Sequence, residues 1–140
     1  MLRREKVMMK AVGALALSGA LLAVAAPALA RSGAPGAAQA PGASLRILIA
    51  VKDGGTREAR LTCRPSGGDH RSPRRACELL QQVDGDPGLL DVHPQAVCTR
   101  EYRPVSVVVI GKWRGRSVSF GRVYSNACLM KAAGGAVYTL

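Results

Sequence analysis

The segment VCTREYRPV, residues 97–105, has the clearest chemical character in the chain. Arg100 precedes Glu101, and an arginine in an accessible, extended segment is what a trypsin-like protease recognises before it cuts the following bond. Cys98 stands before this bond and Pro104 stands after it. Because Pro104 fixes its own backbone and favours an extended conformation in the residue before it, we expect an exposed segment that is held at both flanks.

The sequence shows no recognisable set of catalytic residues. A serine hydrolase needs a nucleophile, a base and an orienting acid, and no serine lies in a G-x-S-x-G motif. The two histidines, His70 and His93, stand in polar, loop-like sequence and are predicted to be surface residues rather than catalysts. Neither a carboxylate pair nor a glycine-rich phosphate-binding loop stands out. We therefore predict no enzymatic activity, no cofactor and no metal.

The four cysteines are Cys63, Cys77, Cys98 and Cys128. An even number of cysteines in a small exported chain predicts two disulfides, but the sequence alone leaves all three pairings open. A zinc site built from these cysteines and the two histidines is the alternative. It is disfavoured because the spacings are irregular and no C-x-x-C motif occurs.

The first thirty residues are typical of a secretory signal peptide. A basic start is followed by an apolar run over residues 11–26, and Pro27-Ala28-Leu29-Ala30 ends in a small-x-small pattern. We predict a signal peptide over residues 1–30 and an extracellular mature protein. A membrane anchor is the alternative, but the run is short for a span. Residues 31–44 are rich in Gly, Ala and Pro, which predicts a flexible tail. Residues 45–140 are predicted to form a single domain.

The chain is strongly basic, with a formal net charge of +11. Removing the leader, which carries four basic residues and one acidic residue, leaves about +8. Such a surface suits nucleic acid, an anionic polymer or an acidic protein partner. Nucleic acid is disfavoured because the charges are scattered and few aromatic residues accompany them. An anionic cell-wall or extracellular polymer remains the alternative partner.

The apolar pattern predicts hairpins and one main helix. Alternation over residues 45–52, a turn at 53–55 and a second strand at 58–63 indicate a hairpin. Further elements are predicted as a helix that begins at Ser72-Pro73, a well-buried strand in PVSVVVIG, a returning strand over 117–124, a helical turn over 126–131 and a last strand over 136–140. Short connections between strands favour an antiparallel sheet with a helix on one face.

Six stretches together resemble the Streptomyces subtilisin inhibitor family. They are LTCRPSGG, ACELL, VCTREYRPV, KWRGRSVSF, RVYSNAC and AVYTL, and they span essentially all of residues 45–140. The resemblance implies an α+β fold: a five-stranded antiparallel sheet with two helices packed on one side. It also implies the disulfides Cys63–Cys77 and Cys98–Cys128, and a homodimer formed through the sheet face.

The same resemblance implies a serine protease inhibitor whose reactive bond is Arg100–Glu101. Arg100 would enter the specificity pocket of a trypsin-like or subtilisin-like protease. The other protease-contacting residues would be Val97, Cys98, Thr99 and Tyr102. Asn126 and Pro104 would support the loop, and Asn126 could also cap the helix that follows it. A pre-ordered segment loses little entropy on binding, so it would behave as a substrate that does not leave.

The sequence departs from the family at several positions. Thr99 stands where many subtilisin inhibitors have proline, Arg103 replaces an expected acid, and residues 94–96 lack a common acidic pair. These changes bear on specificity. Ile110 stands where an acid is often found near the dimer contact, which would make that contact more apolar.

Overall fold

The computed structural model describes residues 42–140, so the predicted signal peptide and most of the predicted tail lie outside the described residues. The strands are β1 (Ala43–Val51), β2 (Thr56–Cys63), β3 (Gly67–Gly68), β4 (Val105–Trp113) and β5 (Arg116–Tyr124). The α-helices are α1 (Pro73–Gln82) and α2 (Ala127–Gly134), and two short 3-10 helices span Pro87–Leu89 and Gly135–Tyr138. Among these helices none is long and apolar enough to cross a bilayer.

The five strands form one antiparallel sheet in the order β3-β2-β1-β4-β5. β1 is central, and its Ile47 lies opposite Ala59 of β2 and Val109 of β4. β1 begins at Ala43, inside the stretch predicted as tail. The sheet, the two helices and the two disulfides confirm the predicted fold class.

One face of the sheet supplies most of the core. The buried residues of the three central strands include Leu45, Ile47, Ile49, Ala59, Leu61, Val105, Val107 and Val109. Burying an aliphatic side chain of this size contributes roughly 1.5–3 kcal/mol, which fixes the register because a one-residue slip would expose the whole set. The prediction of a well-buried β4 was wrong in one respect: its Ser106, Val108 and Ile110 alternate with the buried residues and are exposed.

Helix α1 packs on this face and is tied to β2 by the disulfide Cys63–Cys77. Its predicted start is confirmed, but the Ser72 side chain makes no capping hydrogen bond. Instead, the Ser72 backbone N–H donates to Nδ1 of His70, whose Nε2 lies 3.2 Å from the Val137 carbonyl oxygen. His70 is therefore buried, and its predicted surface position was wrong, whereas His93 is exposed.

The predicted last strand, residues 136–140, was also wrong. Residues 135–138 form a 3-10 helix instead. The consecutive side chains Val137 and Tyr138 are both buried, whereas consecutive side chains of a strand point to opposite faces of the sheet. Burial raises the pKa of the Tyr138 hydroxyl above its usual range, so the phenol stays neutral. The fifth strand is instead β3, which pairs with Leu61 and Thr62.

Candidate functional site

Residues 96–104 form an exposed segment that has defined anchors. They contain no helix or strand, and every residue from Thr99 to Arg103 is exposed. Val97 is 98% exposed and Tyr102 is 75% exposed. Such exposed side chains are available for contact with another molecule. The segment therefore presents its side chains outward, as the sequence predicted.

The disulfide Cys98–Cys128 anchors the start of the segment. Its Cα atoms are 5.7 Å apart, and Cys128 lies in the first turn of α2. The pairing matches the one implied by the resemblance. Because the bridge joins residues 30 positions apart, it holds the backbone immediately before Thr99 and Arg100 against the body of the domain.

Asn126 brackets the Arg100–Glu101 bond with two hydrogen bonds. Its Nδ2 amide donates to the carbonyl oxygens of Thr99 and Glu101, at 3.0 Å each. Its Oδ1 accepts from the Leu129 backbone N–H at 2.9 Å and so caps α2. The side chain thus uses both amide protons and its carbonyl oxygen. Both roles considered for Asn126, loop support and helix cap, are present together.

Two backbone hydrogen bonds anchor the segment after Glu101. The Arg103 N–H donates to the Ser125 carbonyl oxygen at 2.9 Å, and the Lys52 N–H donates to the Pro104 carbonyl oxygen at 2.9 Å. Pro104 then leads into β4. The sequence did not indicate Ser125 or Lys52 as support, since the groups involved are backbone atoms that every residue type provides.

A cleft lies along each side of the segment. The first contains the apolar side chains of Ala96 and Leu129 next to the disulfide. The second has a volume of about 430 Å³ and runs between the segment and the β1–β2 turn. Its lining includes Thr99, Glu101 and Arg103 from the segment and Arg57 from β2. Alternate residues of an extended chain point to the same side, so Arg100 and Tyr102 project away from this second cleft.

The four cysteines and the other candidate metal ligands of the described part of the chain do not cluster into a metal site. Residues 42–140 contain no group of three His, Cys, Asp or Glu side chains arranged for a metal ion. All four cysteines are in disulfides, so the thiolate ligands that the zinc alternative required are absent. The site is a shaped, exposed backbone, which suits recognition by another protein.

Comparisons with known proteins agree with this geometry. A family model described as "Subtilisin inhibitor-like" matches residues 48–126. The chain is 42% identical over 85 residues to subtilisin inhibitor-like protein 1 of Streptomyces cacaoi, covering 59% of this chain and 77% of that protein. The chain belongs to the subtilisin inhibitor-like family. It is also 36% identical over 135 residues to the subtilisin inhibitor of Streptomyces violaceus, covering 89% of this chain and 90% of that one.

A solved structure supports the fold. Streptomyces caespitosus sermetstatin, in a complex with Bacillus licheniformis subtilisin, is 28% identical and aligns with a TM-score of 0.56. The alignment covers 70% of this chain and 98% of that chain. The two Streptomyces sequence relatives are named as a subtilisin inhibitor-like protein and a subtilisin inhibitor, not as enzymes. The family match includes the exposed segment and ends at Asn126, the residue that supports it.

Proposed function

We propose that this protein is a secreted inhibitor of serine proteases, and that the exposed segment enters the protease cleft as a substrate would. The reactive bond is Arg100–Glu101. The observation that carries the proposal is the pair of hydrogen bonds from Asn126 to the carbonyl oxygens of Thr99 and Glu101. They hold the backbone on both sides of one particular bond, and family membership supports a protease as the partner.

The same anchors explain why cutting does not release the protease. When the catalytic serine attacks the Arg100 carbonyl carbon, the new amine of Glu101 becomes the leaving group. In this protein that amine is retained by two hydrogen bonds. The Glu101 carbonyl oxygen accepts one from the Asn126 side chain, and the Arg103 N–H donates the other to the Ser125 carbonyl oxygen. Cys98 holds the acyl side through its disulfide. Two reacting groups kept together have a very high effective concentration, so the bond re-forms faster than the product departs.

The side chains at the reactive bond suggest the targets. Arg100 would make charge-assisted hydrogen bonds with the acidic pocket of a trypsin-like protease. Val97 would fill the apolar subsite that contributes much of the selectivity of subtilisins. Thr99 would lie in the cleft before the bond and Tyr102 after it. We therefore propose strong inhibition of trypsin-like proteases and weaker inhibition of subtilisin-like ones.

The outer face of the sheet is suited to a homodimer. This face carries Leu48, Val108, Ile110 and Val123, and Val123 is 63% exposed. Leu48 lies opposite Val108 in the β1–β4 register, so these two apolar side chains are neighbours. An exposed apolar patch of this kind favours burial against a second copy. Export through the predicted signal peptide, with its cleavage after Ala30, completes the proposal of an extracellular dimer without nucleic acid or membrane partners.

Mapping of the cut bond tests the reactive-bond proposal. The oxidised protein is incubated with a small amount of trypsin at neutral pH, and the products are followed by mass spectrometry without reduction. The proposal predicts that Arg100–Glu101 is the first bond cut and that uncut protein persists at equilibrium with the cut form. Early cuts at other arginines with rapid fragmentation would contradict it and favour the alternative, a basic protein that binds an anionic polymer. Binding to such a polymer would weaken strongly as the salt concentration rises, because released counterions drive it.

A further inference from the structure

The basic side chains of the domain differ in whether they have acidic partners. Those that form ion pairs are Arg46, Arg75, Arg114 and Arg116. Arg57 and Arg103 line the second cleft beside the reactive segment. Over residues 42–140 neither of them forms an ion pair with a carboxylate. Both side chains are exposed, so their guanidinium groups can bind a partner.

The backbone keeps these two arginines at a fixed place relative to the reactive bond. Arg103 is held by its N–H bond to Ser125, and Pro104 by its bond from Lys52. Lys52 opens the turn that leads to β2 and Arg57, and it adds a third exposed positive charge. In an extended chain Arg103 lies about 10 Å beyond Arg100. The acidic groups of this region, Glu101 and Asp53, form no ion pair with any of the three within the described part of the chain.

We infer that Arg57 and Arg103 form a second recognition surface, here called the basic rim, which selects proteases that carry carboxylates on the leaving-group side of their cleft. This inference rests on the proposed function, because the rim meets the protease only if Arg100–Glu101 occupies the protease cleft. Arginine presents paired donors that match a carboxylate. Charges at the rim of an interface act mainly on the association rate and its salt dependence.

The test compares charge reversals of equal size. Arg57→Glu and Arg103→Glu alter the rim, and Arg74→Glu is the matched control, since Arg74 is an exposed residue of α1 that lines neither cleft. The backbone N–H of Arg103 is unaffected by its substitution. The probes are two subtilisin variants that differ only in whether surface residues on the leaving-group side of the cleft are acidic or neutral. Stopped-flow measurements give association rate constants at low and high salt.

We expect each rim variant to associate about tenfold more slowly with the acidic subtilisin at low salt. The difference should fall below about twofold at high salt, where charges are screened, and should be small with the neutral subtilisin. Arg74→Glu should change the rate little. Equal slowing by Arg74→Glu, or no slowing by the rim variants while the wild type still inhibits, would overturn the basic rim alone. Failure of the wild-type protein to inhibit either subtilisin would overturn the proposed inhibition of subtilisin-like proteases as well.

Discussion

Replacing Asn126 by serine separates the two roles of this side chain. Serine is as good a helix cap as asparagine, so the acceptor for the Leu129 N–H is kept. It has no amide group, so the hydrogen bonds to the Thr99 and Glu101 carbonyl oxygens are lost. Because both of these residues are exposed, water solvates the carbonyl oxygens that remain, and no buried polar group is left unsatisfied.

The expected effect follows from the number of bonds lost. Each hydrogen bond contributes about 1 kcal/mol, so two of them stabilise the closed arrangement of the loop by about 2 kcal/mol. A difference of about 2 kcal/mol corresponds to a rate factor of about 30. Asn126→Ser should therefore still bind trypsin but be hydrolysed at Arg100–Glu101 about 30-fold faster, as a temporary inhibitor.

The assay combines proteolysis with thermal unfolding. Recovery of trypsin activity after stoichiometric mixing reports loop hydrolysis, and circular dichroism reports the Tm. Asn126→Ala serves as the control, because it also removes the cap to α2, at a cost of about 1 kcal/mol or roughly 4–8 °C in Tm for a domain of this size. Asn126→Ser hydrolysed as slowly as the wild type would refute the loop-support role, and a Tm loss equal to that of Asn126→Ala would refute the separation of roles.

Three further substitutions test other parts of the structure. Arg100→Ala should weaken trypsin inhibition by at least 30-fold, because the buried carboxylate of the protease pocket loses its partner, which costs about 2–5 kcal/mol of binding free energy. Inhibition constants check this, and unchanged inhibition would mean that the reactive bond lies elsewhere. Val108→Lys should yield a monomer in analytical ultracentrifugation while leaving protease inhibition intact, and a dimer that persists would exclude the outer sheet face as its interface. Replacing both Cys98 and Cys128 by serine should lower the free energy of unfolding by about 3–4 kcal/mol, the chain-entropy value for a loop of this length, and should turn the protein into a substrate. Denaturant titration checks the stability, and incubation with trypsin checks the cleavage. A double variant that resists trypsin would show that the bridge is dispensable.

The strands with a clear apolar period were predictable from the sequence. Alternation in β1, the β-branched residues of β4 and the Ser-Pro start of α1 each reflect a local physical preference that the fold preserves. The structure of the last five residues was not predictable, because AVYTL is apolar without a decisive period. There Gly135 adopts a φ of 53°, and a side chain on Gly134 would collide with the Tyr138 ring. The Tyr138 hydroxyl also donates to the Pro87 carbonyl oxygen, a contact between residues distant in sequence that no local pattern predicts.

The exposed segment, residues 96–104, was predictable in position but not in its full support. Cys98 and Pro104 mark its flanks by their covalent and conformational properties, and the resemblance indicated Asn126. The backbone donors and acceptors at Lys52 and Ser125 have no side-chain signature, so only the structure reveals them. The burial of His70 escaped prediction for a related reason: its partners are a backbone N–H and a carbonyl oxygen from distant parts of the chain.

The central claim is that the exposed segment blocks a protease without being consumed. The most direct test is a titration of active-site-calibrated trypsin, and separately of subtilisin, with the purified oxidised protein. The account predicts a linear loss of trypsin activity that reaches zero at one reactive segment per protease molecule and stays there for hours. Degradation of the protein with no loss of trypsin activity at any ratio would contradict the account and would show that residues 97–105 are an ordinary cleavable loop.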